Sequence, residues 1–347
     1  MTNHPQSKYK WYILTLAGAT HIFVVAMSRM CMPVLFPEIS KDLGLNLVQI
    51  GVVWGIAGLG GLFAAIPAGL ISDKYGATRT LAAACLLQGI AGALRGVSVG
   101  FTSLTTFMFL FGLFGVPMLF TTHQAAGQWF SGRQLGFANG VLAMGMGVGF
   151  TLGSMFSATV LAPLFGGWRH LMFVYGAIAL IISFLWFKAK RSPDQSETAP
   201  STAKVPFRQA FSHVIRIRAL WLIWLSSLFI VGFGNGIVGY LPLYLRSIGW
   251  TDFSADGALA TLSLASTVGV VPLSVLSDRI GLRKAVVIPG ALLAIIGGTL
   301  FSVFGGQIVW FSVSLIGFVR DGVFAILITM IMESEEVGAA YTGTALG

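Results

Sequence analysis

Residues 69–80 read Gly-Leu-Ile-Ser-Asp-Lys-Tyr-Gly-Ala-Thr-Arg-Thr, and the pattern returns at residues 274–284 as Ser-Val-Leu-Ser-Asp-Arg-Ile-Gly-Leu-Arg-Lys. Both copies lie between long apolar runs. An aspartate near the C-terminal end of a helix opposes the helix dipole and needs a cation or another helix N-terminus as partner. The glycine three residues later suits a tight turn with positive φ, and basic residues on such turns mark the cytoplasmic side of a membrane. The repeated motif therefore predicts two helical hairpins and their orientation.

The pattern resembles the signature loop of the major facilitator superfamily of transporters, Gly-x-x-x-Asp-(Arg/Lys)-x-Gly-x-(Arg/Lys)-(Arg/Lys). In that family the loop joins the second and third helices and recurs between the eighth and ninth. The first copy departs from the pattern at Thr78 and the second at Ser274. The resemblance implies an all-helical carrier whose gating motif comprises Gly69, Asp73, Lys74, Gly76, Arg79, Asp278, Arg279, Gly281, Arg283 and Lys284.

The composition indicates a polytopic membrane protein. Of 347 residues, 56% are hydrophobic and 10% are charged, with a mean hydropathy of +0.85, whereas soluble domains carry about a quarter charged residues. With the N-terminus in the cytoplasm, the only Lys and Arg in outer loops or helix ends are Lys41, Arg95, Arg169 and Arg246. The cytoplasmic segments hold 15 basic residues against these 4, and this bias sets the topology. Because the net charge of +9 is concentrated in alternate loops, it predicts no nucleic-acid partner. The polar start, Met1–Lys10, followed by a long apolar run, predicts a first spanning helix and no cleaved leader.

Ten runs reach the roughly 20 apolar residues that cross a bilayer. They are Trp11–Phe36, Leu47–Ile71, Thr80–Val99, Phe101–Gly127, Gly136–Phe165, Trp168–Phe187, Leu220–Leu245, Ala258–Leu276, Ala285–Phe304 and Gln307–Met332. The fifth run is expected to pack closely on a neighbour through Gly136, Gly140, Gly145, Gly149 and Gly153. Cys31 and Cys85 fall inside apolar runs and are expected to be small buried hydrophobes.

The chain repeats itself. A shift of 205 residues (Asp278 against Asp73) also superposes Pro242 on Pro37 without a gap. We predict a six-helix N-terminal half (residues 1–187), a mobile cytoplasmic linker (188–218) and a C-terminal half (219–347) with helices seven to ten. Because Gly338–Gly347 resembles the opening of the fifth helix, we expect the start of an eleventh. The expected fold is thus all-α, with the two pseudo-symmetric six-helix halves of this superfamily, here truncated after about ten transmembrane helices.

Arg29 is the first candidate substrate-binding residue. Its counterpart in the second half is Gly234, so the repeat does not demand an arginine. An intramembrane arginine needs a partner or a water-filled cavity, and its planar guanidinium matches a carboxylate or phosphate bidentately. The stretch Arg29–Leu45 resembles helix one of the anion:cation symporter and organophosphate antiporter families, where an arginine at about this place binds the substrate anion. The alternative is that Arg29 reaches the outer surface.

Arg320 and Asp321 lie near the middle of the tenth run. Adjacent helical residues point about 100° apart, so we expect the two not to neutralise each other and at least one to seek a partner across the cavity. Arg320 is then a candidate anion ligand. Asp321, taken as the only acidic residue deep in a span, is a candidate proton-coupling carboxylate. A structural interhelical pair is the alternative.

Other polar residues within the apolar runs are weaker candidates. His21 and Asn235 are candidate substrate ligands and His123 is a candidate coupling residue, since histidine titrates near neutrality and either ring could relay a proton. An interhelical hydrogen bond is the alternative for both histidines. Arg95 is expected to reach the outer surface, and Pro242 to let the seventh helix bend as a gate.

The segment between the fourth and fifth runs carries a second resemblance. Trp129–Gly140 resembles the Trp-Phe-x-x-x-x-Arg-Gly-x-Ala-x-Gly element of solute-carrier branches that move organic anions, with the arginine displaced. The arginine that those branches carry early in helix four is absent, since Phe107–Phe114 carries no charge.

The sequence contains no nucleophile triad, metal cluster or phosphate-cradling loop, so we expect a protein that is not an enzyme and that needs no cofactor. The resemblance implies a secondary transporter of a prokaryotic cytoplasmic (inner) membrane that moves a small organic or inorganic anion by alternating access, as a symporter or antiporter. The expected partners are the solute, a coupling proton or sodium ion and the lipid bilayer, and the protein is expected to be a monomer. Efflux of amphipathic compounds and a non-transporting membrane sensor are the alternatives.

Overall fold

The computed structural model describes residues 5–190, 212–334 and 337. Within this part of the chain, ten helices are long and apolar enough to cross a membrane, and no strand is present. The expected all-helical, polytopic fold is therefore confirmed. Most of the predicted linker (residues 191–211) and the predicted start of an eleventh helix, Gly338–Gly347, lie outside the described residues.

The ten helices follow the order of the ten predicted runs. α1 is a continuous rod of three segments, Pro5–Ala19, Thr20–Met27 and Ser28–Leu43. The next five are α2 (Leu47–Tyr75), α3 (Ala77–Leu94, extended by a turn at Arg95–Val97), α4 (Phe101–Trp129), α5 (Gly132–Phe156, Ser157–Leu161 and Ala162–Phe165) and α6 (Trp168–Lys188). The last four are α7 (Arg218–Ser247), α8 (Asp252–Ile280), α9 (Lys284–Val303) and α10 (Gln307–Met332).

The start of α8 differs from the sequence prediction. The helix begins at Asp252, whereas the sequence prediction begins it at Ala258. The prediction is late because a search for apolar runs misses the polar first turns of the helix. Asp252 suits the first turn because a carboxylate there complements the helix dipole. The earlier start brings Asp256 into the helix, where it is fully buried. Asp256 is thus a buried acidic residue close to the start of the span, which the sequence prediction placed outside it.

The chain forms two compact units. The first comprises Met1–Glu197 together with Gly239–Ala260, so it contains the end of α7 and the start of α8. In this unit α2 packs along α4 and α3 packs along α6. The second unit comprises Thr198–Val238 and Thr261–Gly347, and in it α9 packs along α10.

Glycines bring α5 close to α1 in the first unit, as predicted for part of the helix. A β-carbon on Gly149 would lie 2.6 Å from the carbonyl oxygen of Ile22, so only glycine permits this approach. Two further predicted glycines, Gly145 and Gly153, also face α1. The prediction is wrong at Gly136 and Gly140, where an added β-carbon would meet no neighbouring helix of the described chain within 4 Å.

Candidate functional site

The first group of candidate residues lies on an irregular stretch of α1. Residues Thr20–Met27 form a π-helical segment between two α-helical ones. Such segments are rare, occur frequently at functional sites and leave some carbonyl groups without their usual helical donors. His21 lies inside this segment, and Arg29 follows two residues after its end.

His21 is buried and joins three helices. Its Nε2 lies 2.6 Å from the hydroxyl oxygen of Thr122 in α4, and its Nδ1 lies 3.1 Å from the carbonyl oxygen of Leu142 in α5. Because a carbonyl oxygen only accepts, Nδ1 carries a proton and donates it to Leu142. The structure also brings the two candidate histidines together. The ring of His123 meets that of His21 edge-on at 5.6 Å, and its Nδ1 lies 2.9 Å from Oδ1 of Asn139.

Arg29 is half-buried and lies against an aromatic ring. The central carbon of its guanidinium is 5.4 Å from the ring centroid of Trp54 in α2. Attraction between a cation and an indole face orients the guanidinium plane. The side chain of Arg29, which belongs to α1, thus lies against α2 within the first unit.

Arg320 and Asp321 pair with each other in the second unit. Nε of Arg320 donates to Oδ1 of Asp321 at 2.7 Å and its second terminal nitrogen donates to Oδ2 at 3.0 Å. The expectation that these neighbours do not neutralise each other is therefore wrong. The 100° separation applies to the β-carbons, whereas the long arginine side chain curls back to its neighbour. Asn235, the remaining candidate, lies half-buried in α7, one residue after Gly234.

Arg95 is fully buried, contrary to the expectation that it reaches the surface. Its Nε donates to the carbonyl oxygen of Gly92 at 3.1 Å, and one terminal nitrogen donates to that of Ser28 in α1 at 3.0 Å. The guanidinium carbon lies 4.0 Å from the ring centroid of Phe111 in α4. The sequence indicates the depth of Arg95 along α3 but not the side of the helix on which it lies.

The two motif loops adopt the predicted turn. Gly76 joins α2 to α3 with φ 87°, and Gly281 joins α8 to α9 with φ 72°. Such values favour glycine because it has no β-carbon to clash. Four basic motif residues lie exposed around these turns: Lys74, Arg79, Arg279 and Lys284. Gly69 belongs to α2, and the side chain of Asp73 lies outside what the structure describes.

The second motif copy contains an ion-pair network. Asp278 pairs with Arg283 of its own copy, as the dipole argument requires of such an aspartate. Arg283 also donates to both carboxylate oxygens of Glu333, at the end of α10, at 2.6 and 3.0 Å. These hydrogen bonds hold the pKa of Glu333 below its usual range.

Another cluster, which the sequence did not predict, surrounds Arg246 in the first unit. Its guanidinium nitrogens lie 2.9 Å from Glu38 in α1 and 3.2 and 2.8 Å from Asp252 and Asp256 in α8. The sequence prediction treats Arg246 as a loop charge and places both aspartates before the eighth helix. Three carboxylates close to one guanidinium make this cluster acidic overall.

Among the described residues, no group of three His, Cys, Asp or Glu side chains is arranged to hold a metal ion.

Comparison with known proteins identifies the family. The model of the Major Facilitator Superfamily matches residues 19–347. The chain belongs to this superfamily. It is accordingly a multi-pass integral membrane protein.

Two relatives of known name are distant in sequence. The chain is 28% identical over 171 residues to the probable galactarate/D-glucarate transporter GudP of Escherichia coli (strain K12), covering 46% of this chain and 36% of GudP. It is 26% identical over 320 residues to the probable sulfoacetate transporter SauU of Cupriavidus necator, covering 88% of this chain and 72% of SauU. The chain thus spans about a third of one relative and under three quarters of the other.

A solved structure supports the fold. A bacterial homologue of the human lysosomal transporter Spinster, in an inward-facing and occupied conformation, superposes with a TM-score of 0.78 at 16% identity. The match covers 99% of this chain and 79% of that chain. At this identity the similarity establishes the fold alone.

Proposed function

We propose that the protein is a secondary transporter that moves a small organic anion across the cytoplasmic membrane by alternating access. The observation that carries the proposal is the Arg320–Asp321 pair within α10, in a chain whose relatives are named for galactarate, D-glucarate and sulfoacetate. Those solutes all carry carboxylate or sulfonate groups. Ionisable residues within membrane spans commonly mark substrate or ion pathways.

Arg29 and Arg320 are the proposed anion ligands. A guanidinium presents paired donors in a fixed plane that match a carboxylate or sulfonate. Arg29 is oriented by Trp54 and Arg320 by Asp321. Asn235 would add a neutral hydrogen bond that helps to select the solute. His21, whose ring nitrogens bond Thr122 and Leu142, would bind the solute by exchanging one of these bonds.

Competition for Arg320 supplies a coupling mechanism. While Asp321 is ionised, it occupies the guanidinium fork with two hydrogen bonds. A proton on Asp321 removes its charge, weakens the pair and leaves Arg320 to the solute anion. One proton, carried by Asp321, would then enter with each solute molecule. His123 is a second proposed place for the proton, beside His21, and a sodium ion is the other candidate coupling ion.

The proposed topology follows from the charge distribution. The N-terminus and the motif loops at Gly76 and Gly281 lie on the cytoplasmic side, where basic residues accumulate. The halves are residues 1–187 and 219–347, joined by the linker 188–218, and the protein works as a monomer. The motif loops act as the cytoplasmic gate, and Pro242 allows α7 to bend.

Thermal stabilisation of the purified protein tests the proposed ligands, because a bound ligand raises stability in proportion to its occupancy. Galactarate, D-glucarate and sulfoacetate are compared with lipophilic cations on wild type, Arg29→Ala and Arg320→Ala. Arg216→Ala, which removes an exposed arginine outside the helices, is the matched control.

We expect at least one of the anions to stabilise wild type and Arg216→Ala but neither of the other variants. Stabilisation by lipophilic cations alone, unchanged by every substitution, would contradict the proposal and support an exporter of amphipathic compounds.

A further inference from the structure

The π-helical segment of α1 receives hydrogen bonds from α3. The side-chain amide of Gln88 donates to the carbonyl oxygen of Val24 at 3.1 Å. Arg95 donates to the carbonyl oxygen of Ser28 at 3.0 Å. The first acceptor lies inside the π-helical segment and the second directly follows it. Two side chains of one helix thus bond the backbone of another at the place where its geometry changes.

Gln88 and Arg95 are well placed to act together. They lie seven residues apart, about two helical turns, and therefore on one face of α3. Both are buried, at 2% and 0% exposure. Arg95 is itself fixed by the carbonyl of Gly92 and by the ring of Phe111. Buried side chains held in this way impose a defined position on the backbone they bond.

The internal repeat provides a natural comparison. The 205-residue shift places Leu293 opposite Gln88 and Leu300 opposite Arg95, both in α9. Leucine cannot donate a hydrogen bond to a neighbouring backbone. The helix equivalent to α1 is α7, which runs as one α-helix from Arg218 to Ser247. The half with the polar pair has a π-helical segment, and the half with two leucines has none in the equivalent helix.

We propose that Gln88 and Arg95 are positioning residues that maintain the π-helical segment of α1 and, through it, the placement of His21 and Arg29. Without Gln88 and Arg95, each carbonyl group keeps only a donor from α1 itself, Ser28 Oγ for Val24 and the Cys31 thiol for Ser28. The loss of the two bonds from α3 would favour an ordinary α-helix. Each residue shed from a π-helical turn rotates the following residues by about 100° relative to those before it. Arg29 would then move away from Trp54. The importance of this placement for transport rests on the proposed function; the placement itself does not.

A native cysteine reports on the segment without any solute. Cys31 is fully buried, and its thiol donates to the same carbonyl of Ser28 at 3.2 Å. The only other cysteine is Cys85, buried in α3. Labelling of each thiol by N-ethylmaleimide is measured in membranes, in Cys85→Ala and Cys31→Ala backgrounds respectively. Faster labelling of Cys31 alone indicates movement of α1, whereas faster labelling of both thiols indicates looser packing of the whole unit.

Two variants, Gln88→Leu and Arg95→Leu, introduce the leucines that the second half carries at the equivalent positions. Arg95→Lys is the conservative change. Ser183→Ala is the matched control, because Ser183 of α6 is buried and donates to the carbonyl oxygen of Ala82 in α3 at 2.7 Å. We expect Cys31 to label roughly tenfold faster in both leucine variants, the size of effect expected from one buried hydrogen bond. Arg95→Lys and Ser183→Ala should label at close to the wild-type rate, and Cys85 should be unchanged throughout.

Unchanged Cys31 labelling in Gln88→Leu, which is the milder substitution, would overturn the proposal. Equal acceleration at Cys31 and Cys85 would also overturn it, because that result indicates a loss of packing and not a local change in α1. If Arg95→Leu does not fold, the Gln88→Leu result decides.

A double-mutant cycle links the segment to the solute. Gln88→Leu, Arg29→Lys, which keeps a cation and is expected to retain weak binding, and their combination are compared for stabilisation by sulfoacetate. If Gln88 acts through Arg29, the double variant binds no worse than Arg29→Lys alone, whereas independent effects would add. Additive losses would contradict positioning. If wild type binds none of the anions, the proposed function fails, and the thiol labelling still decides the positioning role.

Discussion

Gly234 of α7 lies directly against the side chain of Arg320 in α10, so that a β-carbon on Gly234 would come within 2.7 Å of Cδ of the arginine. The missing side chain makes room for the stem whose guanidinium holds Asp321. The internal repeat relates both residues to positions in the first half. With the 205-residue shift, Gly234 is the counterpart of Arg29 and Arg320 is the counterpart of Gly115. Each half therefore carries one candidate arginine where the other half carries a glycine.

Enlarging Gly234 should displace Arg320. Gly234→Ala pushes on a flexible side chain and should weaken anion binding a few-fold, whereas Gly234→Leu should abolish it. Gly236→Ala is the matched control, since a β-carbon there meets nothing within 4 Å in the described structure and both alanine changes raise helix propensity equally. Binding is measured by thermal stabilisation with sulfoacetate. Equal affinity in Gly234→Leu and Gly236→Ala would show that Arg320 does not contact the anion.

Replacing Asp321 by asparagine should separate binding from energy coupling. The amide of an asparagine side chain does not take up a proton, and it leaves Arg320 without a competing carboxylate. We expect Asp321→Asn to exchange solute across proteoliposomes in the absence of a gradient, while a pH gradient no longer drives accumulation. Accumulation at the wild-type level would exclude Asp321 as the coupling residue. Accumulation driven by sodium in the wild type would assign the coupling to that ion.

Much of the fold follows from the sequence because its determinants are local. Ten apolar runs predict ten helices, and the glycines at 76 and 281 mark turns that require positive φ. The start of α8 escapes the prediction because its first turns contain the exposed Asp252 and the buried Asp256, and Asp256 is compatible with burial because it pairs with Arg246. A search for apolar runs in the sequence does not detect an ion pair that allows an aspartate to be buried.

The site is less predictable because it depends on what each side chain contacts. The sequence identifies Arg95 and Arg320 as charges within spans, but it does not say that Arg95 binds a carbonyl of α1. Nor does it say that Arg320 turns back to its neighbour. The π-helical segment of α1 likewise has no motif of its own. The sequence shows that the second half carries leucines where the first carries Gln88 and Arg95. The role of these two polar residues can be inferred only from the hydrogen bonds that they donate in the structure.

The ion pair between Arg283 and Glu333 should make stability depend on pH on the acid side. The hydrogen bonds from Arg283 lower the pKa of Glu333 in the folded protein. The stabilisation is therefore complete above the unfolded value of about 4.3 and is lost as the pH falls through the lower folded value. The side chain of Glu333 is half exposed to solvent, which screens the pair, so the effect should be small. Thermal unfolding between pH 7 and 3 should show a shallower acid decline in Glu333→Gln, and an identical decline would contradict the pairing.

Removing the cation of the cluster around Arg246 should destabilise the first unit. Arg246→Met leaves the carboxylate of Asp256 buried without its cation, a loss that typically costs about 3–5 kcal/mol. Adding Asp256→Leu should recover part of this loss by removing the stranded charge. Arg216→Met is the control, because Arg216 is exposed and its substitution should change stability by less than about 0.5 kcal/mol. The melting temperature of the detergent-purified protein measures all three, and equal losses in Arg246→Met and Arg216→Met would contradict the assignment.

Counterflow of labelled anion in proteoliposomes tests the proposed transport most directly. Vesicles preloaded with unlabelled galactarate or sulfoacetate are presented with the labelled solute, and saturable uptake is followed for wild type, Arg29→Ala, Arg320→Ala and the control Arg216→Ala. We predict exchange of at least one anion by wild type and by Arg216→Ala, and none by the other two variants. Absence of exchange by wild type for both anions, or exchange at the wild-type rate by Arg29→Ala and Arg320→Ala, would contradict transport of an anion held by these two arginines.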